Sequence, residues 1–493
     1  MDAKTIIQSL TETDADTLLV FVGEGQLAAN AAQVDAALNG ALAELIGQGD
    51  FSGKAGQTAV LYPRGALPVA RVIAVGLGSS VAVEGVRRSV AVGIRRAREL
   101  KAVHVATALP EGLETVTAAQ AVVEGALLSL YSYHGQRTSE APEDTLTTLT
   151  IAAPDEAAHA QIETGLARGR AYAKGAILAR DLVNLPPNIC TPEYLAQRAR
   201  EMAKAAGLRC EVLEEQQIKA LKMGALLGVA QGSDTPPRFI ILEHNADRAS
   251  ELDTVVLVGK GVTFDTGGYS LKTGEGMIGM KHDMGGGAAV IGAMRIVAGL
   301  NVPLHVVGLI PTADNMISGH AYRPEDVLTA SNGKTIEVIS TDAEGRLLLA
   351  DALVYARRYQ PAAVVDIATL TGSCVVALGH AAAGLFSIDD RVRDTVMRAG
   401  EMTSERVWPL PLFPEYDKAI ESLTADVKNS GGRDNGVGTS AAFLRHFVDY
   451  PAWAHVDMAG MVRDAADNPY IPTKGATGYG ARLLAQFVEE WKV

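Results

Sequence analysis

Two short stretches concentrate groups able to hold or move charge. Val258–Gly287, VGKGVTFDTGGYSLKTGEGMIGMKHDMGGG, carries Lys260, Asp265, Lys272 and Asp283. Ser340–Leu353, STDAEGRLLLADAL, carries Asp342, Glu344 and Arg346. Alternate residues of an extended chain point the same way, so Asp342, Glu344 and Arg346 can face one cavity. Carboxylates gathered in this manner repel one another unless positive charge lies among them. Four carboxylates against three cations, in small-residue surroundings, suggest metal as well. Oxygen-rich ligand sets suit Mg, Mn or Zn, and paired ions in hydrolytic sites lie ~3.5–4 Å apart. Taken singly, each Asp or Lys reads as a solvated loop residue, and Asp342 as a helix cap. The joint spacing carries the metal reading. His282 is expected to be a bystander, because the carboxylates suffice as ligands.

Competing motifs are absent from the sequence. Phe264 stands where a dinucleotide fingerprint beginning at Gly259 would need its third glycine. There is no Walker phosphate loop, no H-E-x-x-H and no G-x-S-x-G.

Strand-like and helix-like segments alternate along the whole chain, the pattern of an α/β fold. In the first third, Leu18–Val22, Ala59–Tyr62, Arg71–Val75, Val103–Thr107 and Leu149–Ala152 read as strands, and Glu84–Leu100 and Ala118–Tyr133 as helices. Gly135–Asp144 is polar and reads as an exposed loop. A helical pattern from Glu156 to about Asn184 stops at Leu185-Pro186-Pro187, since paired prolines end a helix. Strands are expected again at Phe239–Glu243, Val255–Gly259, His305–Ile310, Val364–Thr369 and His455–Met458, with helices at Gly285–Leu300 and Leu347–Tyr359. Val255–Gly259 runs straight into the first charged stretch, and loops after the C-terminal ends of parallel strands are where open α/β sheets place their sites.

The 493 residues exceed what one core of roughly 250–300 residues can organise, which implies two domains. Aromatics are only 5%, so the cores must be aliphatic and alanine-rich. The net charge of −13 gives no support to a nucleic-acid-binding role and fits an acidic cytoplasmic enzyme. Cys190, Cys210 and Cys374 lack metal spacing and read as reduced thiols. No signal peptide is expected at the N-terminus. The apolar window Ala362–Phe386 is interrupted by Asp366 and His380, so a buried strand and loop is expected there and not a membrane span.

Taken together, the motifs resemble the leucyl aminopeptidase family of hexameric, two-metal cytosolic enzymes. The family's N-T-D-A-E-G-R-L appears as Ser340–Leu347, and its K-G-x-x-F-D-[ST]-G-G-x-x-[LI]-K as Lys260–Lys272. Asn315–Gly319 followed by Arg323-Pro324, Ala368–Gly372, Asp457–Gly460 and Gly475–Gly478 are also similar. Ser340 replaces the usual Asn, and Glu325 stands where the family has Gly. The resemblance implies an N-terminal α/β, macro-like domain (1–155), a linking helix (156–185) and a larger catalytic α/β domain (186–493) with a mixed central sheet and flanking helices. It implies two divalent metal ions per subunit, Mn or Zn, one held by Asp265, Asp342 and Glu344 and the other by Lys260, Asp265, Asp283 and Glu344. Lys272 and Arg346 would be catalytic, with bicarbonate at Arg346. Met280, Thr369, Leu370, Gly372 and Ala459 would bind the substrate's first residue. Peptide substrates with leucine-like N-termini, a homohexamer, a cytoplasmic location and no membrane association complete the expectation.

Overall fold

A computed structural model describes residues 1–140, 144–464 and 467–491. Residues 141–143 of the expected loop Gly135–Asp144 lie outside the described residues. The chain folds as two compact units. One is Met1–Ala173 with Ala466–Thr473, and the other is Lys174–Ala465 with Lys474–Val493.

The first unit is built on six strands: β1 (Asp2–Ile7), β2 (Thr17–Gly23), β3 (Thr58–Leu61), β4 (Arg71–Gly78), β5 (His104–Ala108) and β6 (Thr148–Ala153). Their order is β1-β6-β5-β2-β4-β3, all parallel except β3. Strands β2 and β4 are buried on both faces, which explains their continuous apolar runs TLLVFVG and RVIAVGLG. Leu19, Ile73 and Val75 pack into one cluster with the helix Val83–Glu99, and Leu18, Val20 and Val72 into a second with the helix Ala29–Ala37. Strand β1 is not among the strands expected from the sequence. It reads D-A-K-T-I-I with exposed polar residues alternating with buried ones, a weak signal at a sheet edge.

The second unit carries a nine-stranded sheet. Its members are β7 (Arg209–Leu213), β8 (Arg238–His244), β9 (Thr254–Gly259), β10 (Gly261–Asp265), β11 (His305–Asn315), β14 (Ala363–Ala368), β15 (Ala383–Ser387), β16 (Val407–Pro409) and β18 (Trp453–Asp457). Three short strands, β12 (Val327–Thr329), β13 (Thr335–Glu337) and β17 (Val427–Lys428), form a separate sheet. The main order is β16-β15-β18-β14-β9-β11-β8-β7, with β10 paired to β11. The centre is parallel, from β18 through β14 and β9 to β11. Strand β8 runs antiparallel to both β7 and β11, and β15 runs antiparallel to β18 while pairing in parallel with β16, which makes the sheet mixed.

The central strands are apolar on both faces because helices cover both. Val256, Val258 and Val364 share a cluster with Leu347–Leu349 and Leu353 of the helix Gly345–Ala356. On β11, Gly308 faces Met294 and Val290 of the helix Gly285–Leu300, which packs against the helix Ala481–Glu490. Each fully buried Val or Leu here contributes about 1.5–3 kcal/mol of transfer free energy. The stretch Gly274–Leu300 is long and apolar enough to cross a membrane, but 78% of its apolar window is buried inside the unit, as a core helix requires. The window Ala362–Phe386 contains two strands, β14 and β15, and a helix Gly372–Leu378 between them, more structure than the expected strand and loop.

Candidate active site

The active-site groups gather where the parallel central strands end. Strand β9 stops at Gly259, and Lys260 follows. Its backbone N–H donates to the Ile367 carbonyl on β14 (3.1 Å), and its own carbonyl accepts from Gly287 N (2.7 Å), the start of the helix Gly285–Leu300. The next residues are not the loop expected from the sequence. Gly261–Asp265 forms β10, paired in parallel with β11, so that Asp265 lies beside Asn315. Asn315 Nδ2 donates both to Asp265 Oδ1 (2.7 Å) and to the Thr341 carbonyl (2.9 Å), joining the two charged stretches. Gly267, with φ +86°, makes the turn after β10, and a Cβ there would lie 2.9 Å from Asp342 Oδ1.

The second stretch also differs locally from the extended chain first expected. Asp342 lies in a turn, Glu344 has helical dihedrals as the N-cap of the helix Gly345–Ala356, and Arg346 is in its first turn. The three side chains still line one cavity. The Glu344 carboxylate makes no capping hydrogen bond and is left to the site. Gly345 is needed for space, because a Cβ there would meet Lys260 Cε at 2.5 Å. The helices Gly345–Ala356 and Gly285–Leu300 both begin here, so their positive ends favour the carboxylates Glu344 and Asp283.

The resulting cluster is dense. Carboxylate oxygens of Asp265, Asp342 and Glu344 lie within 4.8 Å of one another. Lys260 Nζ is 2.9 Å from Asp283 Oδ2 and 2.8 Å from Glu344 Oε1, and it donates to the Thr369 carbonyl (2.8 Å). Lys272 Nζ lies 2.8 Å from Asp265 Oδ2 and also contacts Asp342. Burial raises the carboxyl pKa of Asp265 to about 6, the Glu344 charge adding to the rise and both lysines opposing it. Burial likewise raises Glu344 and Asp283, against the pull of Lys260. For both lysines burial opposes the charge, but the surrounding carboxylates outweigh it and hold the ammoniums above their ordinary range. Negative charge is therefore in excess. Among the described residues, Asp283 Oδ2 and Glu344 Oε1 are buried without a partner in hydrogen-bond geometry, although both lie within ion-pair range of Lys260. An oxygen-rich, desolvated donor set with lone pairs to spare fits divalent cations.

Arg346 completes the polar wall. Its Nη1 donates to the Asn429 carbonyl (2.7 Å), while Nε has no partner among the described residues. Burial pulls its pKa down to about 10. Asn429 is itself fully buried, accepts from Ile339 N and Ser340 N, and donates to the Ser340 carbonyl. It thus clasps the approach to Asp342 from about ninety residues away in sequence.

The cavity, about 510 Å³, is lined by all twelve residues singled out from the sequence: Lys260, Asp265, Lys272, Met280, Asp283, Asp342, Glu344, Arg346, Thr369, Leu370, Gly372 and Ala459. His282 lines it too. Its Nδ1 is without a partner among the described residues, and burial first, then Lys281 and Arg463, lowers its pKa to about 4. Val462 and His380 also border the cavity and were not anticipated. The three cysteines are free, and burial pushes the Cys190 and Cys374 thiols up to about 12, far from nucleophilic at neutral pH.

Comparison with known proteins shows the family to which the chain belongs. Residues 177–485 match the model of the cytosol aminopeptidase family catalytic domain, and residues 18–140 match that family's N-terminal domain. A probable cytosol aminopeptidase of Roseiflexus castenholzii is 48% identical, over 91% of this chain and 93% of that one. A mutant of tomato leucine aminopeptidase superimposes with a TM-score of 0.88 at 34% identity, covering 99% of this chain and 96% of that one. The bottromycin maturation enzyme BotP in complex with Mn gives a TM-score of 0.84 at 35% identity, covering 96% of this chain and 99% of that one. The chain belongs to the cytosol aminopeptidase family, and it is a metal-dependent aminopeptidase.

Proposed function

We propose that the protein removes leucine-like apolar residues from the N-termini of peptides, using two divalent ions held by the carboxylate–lysine cluster. The observation that supports this most is the concentration of four carboxylates, three of them buried and Asp342 exposed, and two lysines in one cavity. Asp265, Asp342 and Glu344 would hold one ion, and Lys260, Asp265, Asp283 and Glu344 the other, with Mn or Zn suited to the set. When bound, the ions would supply Lewis acidity toward the scissile carbonyl, a water acidified enough to attack near neutral pH, and an acceptor for the lone pair of the free, unprotonated α-amine. Lys260 would give up its proton to act as a ligand, a change that nearby dications favour.

The remaining roles fall to this chain's own side chains. Lys272, at the cavity wall, would set its ammonium against the oxyanion that develops as the carbonyl is attacked. Arg346 holds its guanidinium in place through Asn429 and keeps Nε free, which suits a planar anion such as bicarbonate as proton acceptor. Met280, Thr369, Leu370, Gly372 and Ala459 would receive the substrate's first side chain. The chain would work in the cytoplasm as a homohexamer. A light-scattering mass near that of one 51.7 kDa chain would refute the hexamer.

Free-amine dependence separates this function from other metallohydrolase chemistry. With metal supplied, a leucine-initiated tripeptide should be cleaved after its first residue, and its N-acetylated form should not be. Equal rates on the two peptides would rule out an aminopeptidase.

A further inference from the structure

We propose that Asp457 is a positioning residue that sets the shape of the wall receiving the substrate's first side chain. It lies at the end of β18, fully buried, and β18 pairs in parallel with β14. The loop after β14 carries Thr369, Leu370 and Gly372, and the loop after β18 carries Ala459. One carboxylate joins the two. Asp457 Oδ1 accepts from Leu370 N (3.2 Å), Thr371 N (3.4 Å) and Ala459 N (3.2 Å), and Oδ2 accepts from the Thr371 hydroxyl (2.7 Å). The Thr371 hydroxyl in turn accepts from Cys374 N and caps the helix Gly372–Leu378. Four of the five residues proposed for side-chain recognition therefore lie on two segments, Thr369–Gly372 at the start of the helix Gly372–Leu378 and Ala459 after β18, that share this one acceptor.

The chemistry requires a carboxylate. Three backbone N–H groups and one hydroxyl need at least two acceptor oxygens, and an amide offers only one. An asparagine at 457 has nearly the same shape but presents its NH₂ to the Thr371 hydroxyl. It leaves the fold's packing and one oxygen for the three N–H donors intact, but removes the acceptor of the Thr371 hydroxyl and the negative charge that strengthens the other bonds, which loosens the Leu370–Thr371 segment. A buried N–H or hydroxyl that loses its acceptor shifts to find another, and a displaced wall packs a leucine side chain less closely, which weakens its binding more than it alters the chemistry. Asp457 makes no hydrogen bond or ion pair with the carboxylate–lysine cluster. Its charge does reach the Arg346 guanidinium; Asp457→Asn removes that charge and Thr371→Val leaves it in place, so the two variants together isolate the effect of the wall.

The inference rests on the proposed assignment of this cavity to an N-terminal aminopeptidase substrate. It is tested by steady-state kinetics of wild type, Asp457→Asn and Thr371→Val on leucine amide and alanine amide, with metal content measured in each protein. For leucine amide both variants should raise KM roughly tenfold while kcat stays within about threefold. Alanine amide should be affected less, because a methyl group reaches little of the wall, and metal content should be unchanged. KM values unchanged for both amides would overturn the inference. So would a proportional fall in kcat on both amides with their KM ratio preserved, which marks loss of folded enzyme and a purely structural residue. A wild-type protein inert on both amides would instead overturn the proposed function, and this inference with it.

Discussion

Lys260 and Lys272 carry the same charge in different settings. Lys260 is almost fully buried and satisfied by Asp283, Glu344 and the Thr369 carbonyl. Lys272 is 17% exposed at the cavity wall and contacts Asp265 and Asp342. In the proposed function the first would act as a ligand, and the second would meet a charge that appears only during reaction. Lys272→Ala should therefore keep its metals and its melting temperature while kcat falls roughly 10²–10³-fold, the usual loss for one stabilising donor. Loss of metal, or a near-normal kcat, would contradict that role. The charged side chains of the site were legible in the sequence because charge at close spacing inside small-residue segments is conspicuous. Asn315 and Asp457 stood out only as members of family-like segments, without a role, and Asn429 not at all. They act by hydrogen bonding across dozens of residues of separation, and no local pattern distinguishes a clasping Asn from a turn Asn.

At the scale of elements, ten of the eighteen described strands were legible from their apolar runs; β1, β7, β10, β15 and the two- or three-residue β12, β13, β16 and β17 were not. Strand β7, R-C-E-V-L, lies at the sheet edge with exposed charges, and β10, G-V-T-F-D, hides behind its Gly and Asp. The stretch from Asp342 to Arg346 reads equally as extended chain or as a helix start, and only its packing against Lys260 decides between them. One departure from the family pattern has become intelligible. Glu325, at a position where the family has Gly, adopts φ +73°, the left-handed region that a side chain disfavours, while its N–H donates to the Val338 carbonyl (2.7 Å). Glu325→Gly should relieve this strain and stabilise the protein by up to about 1 kcal/mol, read as a higher unfolding midpoint with unchanged kcat. A lower midpoint would mean that the Glu325 side chain contributes more than its backbone costs.

At the scale of the molecule, length and alternation were sufficient to anticipate two α/β units. The return of residues 466–473 to the N-terminal unit was not legible, because membership of a compact unit is settled by packing between distant segments and leaves no mark in composition. The catalytic unit brings its site together from strand ends and helix starts spread between Lys260 and Ala459, and that placement gathers a cluster in which negative charge exceeds positive and carboxylate oxygens are to spare. Stepwise reloading of the chelated protein, with leucine amide turnover followed against metal bound per chain, probes that cluster as a whole. The expected result is no turnover in the metal-free protein and a rise to a plateau at two ions per chain. Full turnover with metal content near zero, or a plateau at a single ion, would contradict a two-metal aminopeptidase.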